Sequence, residues 1–234
     1  MSLINNVDAI INTKKNIDDI GYYDQPISYE SNINGYKKIL QKPAKNSSLT
    51  TRKELEVVSN ATKNRSLKEL DLVYVADKDP LLIFYDFLKS KNIKFDKSTF
   101  DVYWNILEQY VYALKHYFNR ARPEQIAAYY GIEIKVLGTD THHTPSYPSG
   151  HSMYADLAYK MLSEEYPEYT EDFLKIADYC AFARILQGVH YPSDNVASRK
   201  AVSVIYPVLK EHVNEYERNQ KFPSATNRQD QTRD

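Results

Sequence analysis

From about Thr50 onward, apolar residues recur at three- and four-residue intervals, a spacing that predicts a succession of amphipathic helices. The first runs from Thr51-Arg52-Lys53-Glu54, with Thr51 as N-cap, into Leu55, Val57 and Val58; Ser66 caps a second that carries Leu67, Leu70, Leu72 and Val73. Pro80 is placed to open a third, Leu81 to Leu88. The widest apolar stripe is Tyr103, Trp104, Leu107, Tyr110, Val111, Leu114 and Phe118. It predicts a long helix from Lys97-Ser98 to about Arg122, because Pro123 disfavours helical geometry in the residue before it. Further helices are expected from Gly150 to about Glu165, from Thr170 to Gly188, and from a Ser193-Asp194 cap through Leu209. Gly131 to Pro148 reads as a loop with some extended character at Ile132, Ile134 and Val136. The expectation is an all-α fold, an irregular helical bundle with functional loops gathered at one end.

The ends of the chain differ from its middle. Residues 1–48 show little periodicity beyond a short helix candidate at Leu3 to Ile11, and form an N-terminal extension expected to wrap over the main domain or to be partly disordered. Residues 49–217 form the helical domain, and the polar stretch 218–234 is expected to be a disordered tail.

Composition narrows the function classes. A net charge of −1 and a pI near 6.6 give no global basic field for nucleic acid or an anionic membrane. One cysteine, Cys180, excludes an internal disulfide framework and a cysteine-based zinc site. No apolar run approaches the ~18 residues that span a bilayer, and no signal-like stretch opens the chain, so the expectation is a soluble cytoplasmic protein, periplasmic if a signal was removed.

Candidate chemistry centres on Tyr147-Pro148-Ser149-Gly150-His151. A Pro-Ser-Gly turn delivering the chain onto a helix start offers unpaired backbone N–H groups and the positive end of a helix dipole. Gly150 permits close approach, Ser149 adds a hydroxyl, and His151 adds a titratable group, so the stretch can form an anion cradle with an acid/base attached; it also reads as an ordinary loop. Lys115 and Arg122, seven apart, fall on one face of the predicted long helix, where the plain reading is a solvated basic edge. Arg184 lies on an apolar helix, an awkward place for a cation with no anion to meet. Asp194, four residues after His190, is either a helix N-cap partner or the acceptor for a ring N–H of His190, which fixes the tautomer and frees the other nitrogen to attack.

Taken together, Lys115-x6-Arg122-Pro123, Pro148-Ser149-Gly150-His151 and Arg184-x5-His190-x3-Asp194 resemble the tripartite signature of the type 2 phosphatidic acid phosphatase (PAP2) superfamily, which includes soluble class A nonspecific acid phosphatases and vanadium-dependent haloperoxidases. The resemblance covers roughly Leu55 to His212 and is nearest the soluble acid phosphatases, given Lys115-His116-Tyr117 ahead of Arg122-Pro123. One departure is Ala183, where the family usually has Ser before the third-motif Arg.

The resemblance implies that Lys115, Arg122, Ser149, Gly150 and Arg184 hold a phosphoryl group, that His190 is the nucleophile with Asp194 behind it, and that His151 protonates the leaving oxygen and then activates water. It implies metal-independent hydrolysis of phosphomonoesters, or of small pyrophosphate or lipid phosphates, through a phosphohistidine, with vanadate as an inhibitor. The scheme needs His190 neutral and His151 protonated. Three further readings stand beside it: a vanadium-dependent haloperoxidase with vanadate as prosthetic group, an integral-membrane-type lipid phosphatase, and a phosphate-binding module with a decayed site. The expected partner is a phosphorylated small molecule, with homo-oligomerisation compatible with the sequence. His142 and His143 are expected near the pocket entrance, Cys180 in the core, and His116 and His212 at the surface.

Overall fold

The computed structural model describes residues 16–24 and 38–221, with side chains described up to residue 214. Among these residues the chain forms eight α-helices and no β-strand, so the all-α expectation holds. The helices are α1 (Leu49–Asn64), α2 (Leu67–Lys78), α3 (Leu81–Ser90), α4 (Lys97–Phe118), α5 (Pro123–Ala127), α6 (Gly150–Glu165), α7 (Thr170–Gln187) and α8 (Pro192–Lys221). The helix expected at Leu3 to Ile11 lies outside the described residues, as do most of the Gly21 to Gly35 loop and residues 222–234.

Local chemistry explains most boundaries. Ser66 closes a full capping box on α2, its side chain accepting from the Glu69 N–H while Glu69 reaches back. Gly188 ends α7 at φ 88°, a left-handed geometry that glycine adopts without a Cβ penalty. Several boundaries differ from the sequence reading, among them the start of α8 at Pro192, which puts the expected Ser193-Asp194 cap inside the first turn. The cap of α1 is Ser48, whose extended backbone lets its side chain accept from the Thr51 N–H at 3.1 Å, so Thr51 sits inside the helix.

The long helix α4 stops at Phe118, not near Arg122, because Asn119 turns left-handed at φ 45°. Arg122 is held extended ahead of Pro123, as the proline ring requires, and caps α5. Lys115 and Arg122 therefore do not share a helix face. The last helix continues to Lys221, so residues 218–221 of the expected tail are helical.

The core gathers around α6, which packs chiefly against α7 and α8. Leu107, Val111 and Leu114 of α4 meet Met153, Leu157 and Leu162 of α6, Phe173 and Ile176 of α7, and Val202, Ile205 and Leu209 of α8. Each fully buried leucine there contributes about 1.5–3 kcal/mol. Cys180 is buried among these residues, as expected.

The extended stretch after Gly131 pairs with helices and not with strands. The Ser59 hydroxyl donates to Glu133 O (2.6 Å), the Lys135 N–H donates to Thr62 Oγ1 (3.2 Å), and the Leu137 N–H donates to Gln187 O (2.9 Å). On the opposite side, Gly21 forms an isolated bridge with Arg120, and a Cβ at Gly21 would meet the Asn119 side chain at 2.3 Å. The described part of the N-terminal extension is thus laid over the corner between α4 and α5.

Candidate active site

The α4–α5 corner, the α6 N-terminus and the α7–α8 connection converge at one end of the bundle. There, Lys115, Arg122, Gly150, His151 and His190 line a cavity of about 570 Å³. Its wall also follows α4 outward through Val111, Glu108 and Trp104. Those positions share one helix face with Lys115 and extend the cavity about three turns, roughly 16 Å, from the charged end.

His190 is 2% exposed, and its Nδ1 lies 3.0 Å from Asp194 Oδ2. On the other side of the ring, Arg122 Nη1 lies 3.1 Å from Nε2. A guanidinium can only donate, so Nε2 carries the lone pair and Nδ1 carries the proton given to Asp194. Burial, with Arg122, Lys115 and Arg184 nearby, holds His190 well below the ordinary imidazole value. The ring is therefore neutral, in the tautomer that keeps its lone pair on the nitrogen remote from Asp194.

Asp194 accepts from the Tyr191 N–H at 2.9 Å as well as from His190, so both sequence readings of this residue are realised at once. Burial raises its carboxyl, while Arg120, at 2.6 Å from Oδ1, stabilises the anion.

The three cations are buried, and Arg184 has a carboxylate partner. Lys115 is 4% exposed, donates to Pro145 O at 2.5 Å, and is drawn well below the ordinary ammonium value by burial and then by Arg122. Arg122 donates to Val189 O (2.7 Å) and Thr144 O (2.9 Å), and burial followed by the Arg184 charge lowers it to about 10. Arg184 pairs with Asp77, and its Nε is buried with no hydrogen-bond partner. Cations brought together in this way favour an anion among them.

His151 donates from Nε2 to Asp77 O at 3.2 Å, which leaves Nδ1 as its unprotonated nitrogen when the ring is neutral. Burial first, then Arg184, lowers His151 to about 3, with Asp77 opposing. This direction runs against the protonated His151 that the sequence reading requires, so in the protein alone both histidines are neutral.

Ser149 is fully buried and caps α6, its Oγ accepting from the Ser152 N–H and the Ser152 hydroxyl. Its oxygen serves the helix, and neither Ser149 nor Arg184 is among the residues that line the cavity. At Gly150 a Cβ would touch Val111 Cγ1 at 3.4 Å and approach the Lys115 stem at 3.7 Å, so the glycine keeps the α6 start close to that lysine. Ala183 packs with Val73, Ala76 and Leu186, an apolar contact between α2 and α7 in place of the familiar hydroxyl. His143 lines the cavity, the His142 ring bonds Thr139 O, and His116 is half-buried and stacks on Tyr23. Among the described residues no cluster of three or more His, Cys, Asp or Glu is arranged to hold a metal.

Three participants escaped sequence reading. Asp77, at the end of α2, bonds Arg184 and approaches His151, yet in the chain it is one acid in the run Asp77-Lys78-Asp79. Arg120 and Glu54 stand behind Asp194. The one available signal was Arg120 two residues before Arg122 in a buried-looking segment; Glu54 reads only as an acid in a first turn.

A buried histidine backed by a carboxylate, a second histidine and three buried cations thus stand together on an all-α frame. Residues 102–206, a little under half of the chain, match the family model described as the PAP2 superfamily, so this part of the chain is similar to that superfamily. Among solved structures, the chain is similar to one titled the first transmembrane PAP2 type phosphatidylglycerolphosphate phosphatase from Bacillus subtilis. That likeness has 16% identity and a TM-score of 0.47, over 72% of this chain and 89% of that one. No curated protein matches the chain. Among the described residues no helix is long and apolar enough to cross a membrane.

Proposed function

We propose that the protein is a phosphatase of the acid-phosphatase type, hydrolysing phosphomonoesters through a phosphohistidine at His190. The observation that carries this reading is the two-sided hold on that ring, with Asp194 on the Nδ1 proton and a cationic, cavity-facing environment at Nε2.

In the first step Arg122 Nη1 turns from Nε2 to the phosphoryl oxygens, the freed Nε2 lone pair attacks phosphorus and the bond to the leaving oxygen breaks. That oxygen takes a proton from His151. Lys115 and Arg122, which line the cavity, neutralise the charge spread over the phosphoryl oxygens, and Arg184 adds to the positive field from outside the lining. In the second step His151 accepts a proton from water, the water oxygen attacks phosphorus, and the P–N bond breaks to release phosphate and neutral His190. His151 acquires its first proton when a phosphate dianion arrives, because that charge reverses the cationic field that holds the ring neutral. The cavity along α4 takes the leaving group, with Trp104 and Tyr154 in a T-shaped contact at 4.5 Å forming an aromatic wall suited to an apolar or aromatic alcohol.

The test is hydrolysis of p-nitrophenyl phosphate by wild type and His190→Ala, with and without excess EDTA and with vanadate as inhibitor. Wild type is expected to turn over in EDTA, to be inhibited by vanadate, and to form an acid-labile phosphoenzyme that His190→Ala lacks. Retained turnover by His190→Ala refutes the proposal.

A further inference from the structure

Behind Asp194, away from His190, lies a buried chain of charges to which the mechanism above gives no task. Arg120, in the crossover between α4 and α5, has a side chain only 2% exposed. Its Nη1 donates to Asp194 Oδ1 (2.6 Å) and Ser193 Oγ (2.8 Å), and its Nη2 donates to Glu54 Oε2 (2.9 Å). The other oxygen of Glu54 accepts from the Ser193 N–H at 2.7 Å. The guanidinium carbon sits 3.8 Å from the centre of the Tyr191 ring. Three elements, α1, the crossover and the start of α8, are thereby locked around one carboxylate.

We infer that Arg120 and Glu54 are positioning residues that orient Asp194 and keep its negative charge available to His190. The inference rests on the assignment of His190 as nucleophile. Each half of the pair has a distinct task. Arg120 occupies Oδ1, so the carboxylate can turn only one oxygen, Oδ2, toward His190 and the Tyr191 N–H. A permanently charged guanidinium also holds the carboxylate ionised against its burial. Arg120 alone, however, would cancel the charge that His190 needs as it turns into a phosphorylated cation. Glu54 absorbs that excess, so the three ionised groups carry one net negative charge facing the imidazole. A buried ion triad is a weak source of stability, since apolar replacements of such groups are often neutral or better. Its place directly behind the attacking ring fits orientation.

Arg120→Gln, Arg120→Lys and Glu54→Gln, compared with wild type and His190→Ala, separate these tasks. Gln at 120 keeps a donor and loses the charge; Lys keeps the charge and loses the fork. Two quantities are read: kcat/KM for p-nitrophenyl phosphate, and the inhibition constant of inorganic phosphate, which reports the cationic pocket of Lys115 and Arg122. For Arg120→Gln the expected loss in kcat/KM is on the order of a hundredfold, the cost of misplacing a reacting group by about an ångström. Arg120→Lys is expected to recover about tenfold of it, and Glu54→Gln to lose about tenfold, while phosphate inhibition stays within about threefold throughout.

The inference is overturned if kcat/KM of both Gln variants stays within about threefold of wild type, or if kcat/KM and phosphate inhibition weaken in parallel, the mark of a merely structural role. Should Arg120→Gln fail to fold, the near-isosteric Glu54→Gln decides on the same two quantities. Activity surviving in His190→Ala would instead defeat the phosphatase mechanism itself, an outcome these variants do not imitate.

Discussion

Lys115 offers a direct test of whether the site is built for an anion at the cost of stability. Its ammonium is 4% exposed, has Pro145 O as its hydrogen-bond acceptor, and lies near Arg122 and Arg184. Taking an ammonium out of water costs several kcal/mol even after relaxation, and one charge-assisted hydrogen bond returns about 1.5–3. Lys115→Met keeps the length of the stem and removes the charge, so it is expected to stabilise the protein by about 1–2 kcal/mol. For a chain of 234 residues that is a rise in Tm of roughly 2–8 °C.

The sign of the pH dependence follows from the direction of the shift. Lys115 lies below 10.5 in the folded protein, so between its folded value and 10.5 the unfolded chain holds more proton, and wild-type stability rises with pH across that interval. Lys115→Met should remove that rise. Inorganic phosphate at about a hundred times its Kd should stabilise wild type by about 2.7 kcal/mol and leave the variant nearly unmoved. Differential scanning calorimetry with and without phosphate, from neutral to alkaline pH, reads all three effects alongside p-nitrophenyl phosphate turnover. A variant that melts lower than wild type and still gains full stabilisation from phosphate would refute the argument that Lys115 is a strained anion ligand.

How much of this was legible in the sequence depended on whether a signal was local. The order of the helices followed from apolar periodicity, and the Ser66 and Gly188 boundaries followed from capping chemistry within a few residues. The end of α4 did not, because the stripe runs unbroken into Phe118 and the break is made by an asparagine, held left-handed in a corner that Gly21 packs against. That misreading put Lys115 and Arg122 on one helix face. They meet because the chain turns between them, with Arg122 donating to carbonyls of two different loops.

Arg184 was readable as a site candidate because a cation on an apolar helix with no local anion is conspicuous, whereas Lys115 and Arg122 read locally as a solvated basic edge and stood out only through the resemblance of the three motifs. Their counterparts were hidden for the opposite reason. Asp77 and Glu54 sit among surface-like charges in sequence and acquire roles only through partners 107 and 66 residues away. Ser149 shows the same limit: a hydroxyl at a helix start serves a ligand or the helix with the same local sequence, and here it caps α6.

Trp104→Ala should lower kcat/KM for aryl phosphates by about 5–30-fold, the worth of roughly 1–2 kcal/mol of leaving-group contact, and leave methyl phosphate unaffected. Equal losses on both substrates would remove Trp104 from the leaving-group wall. His151 makes a prediction about acid. Its folded value of about 3 lies below the ordinary 6.5, set by burial and Arg184 against the opposing pull of Asp77, with Lys115 adding to the depression. As pH falls below 6.5 the unfolded chain takes up a proton that the folded protein refuses, so stability is lost on acidification, by roughly 2 kcal/mol between pH 6.5 and 5 from this residue. His151→Gln should remove that share of the slope in urea denaturation at the two pH values, and equal slopes for wild type and variant would refute it. A dianion in the site reverses the field, so binding of sulfate, already doubly charged at pH 6, should draw in a proton, measurable as a buffer-dependent binding enthalpy that His151→Gln abolishes. A protein that is acid-labile when free of ligand and takes up a proton as it binds a dianion has its general acid charged by the substrate itself.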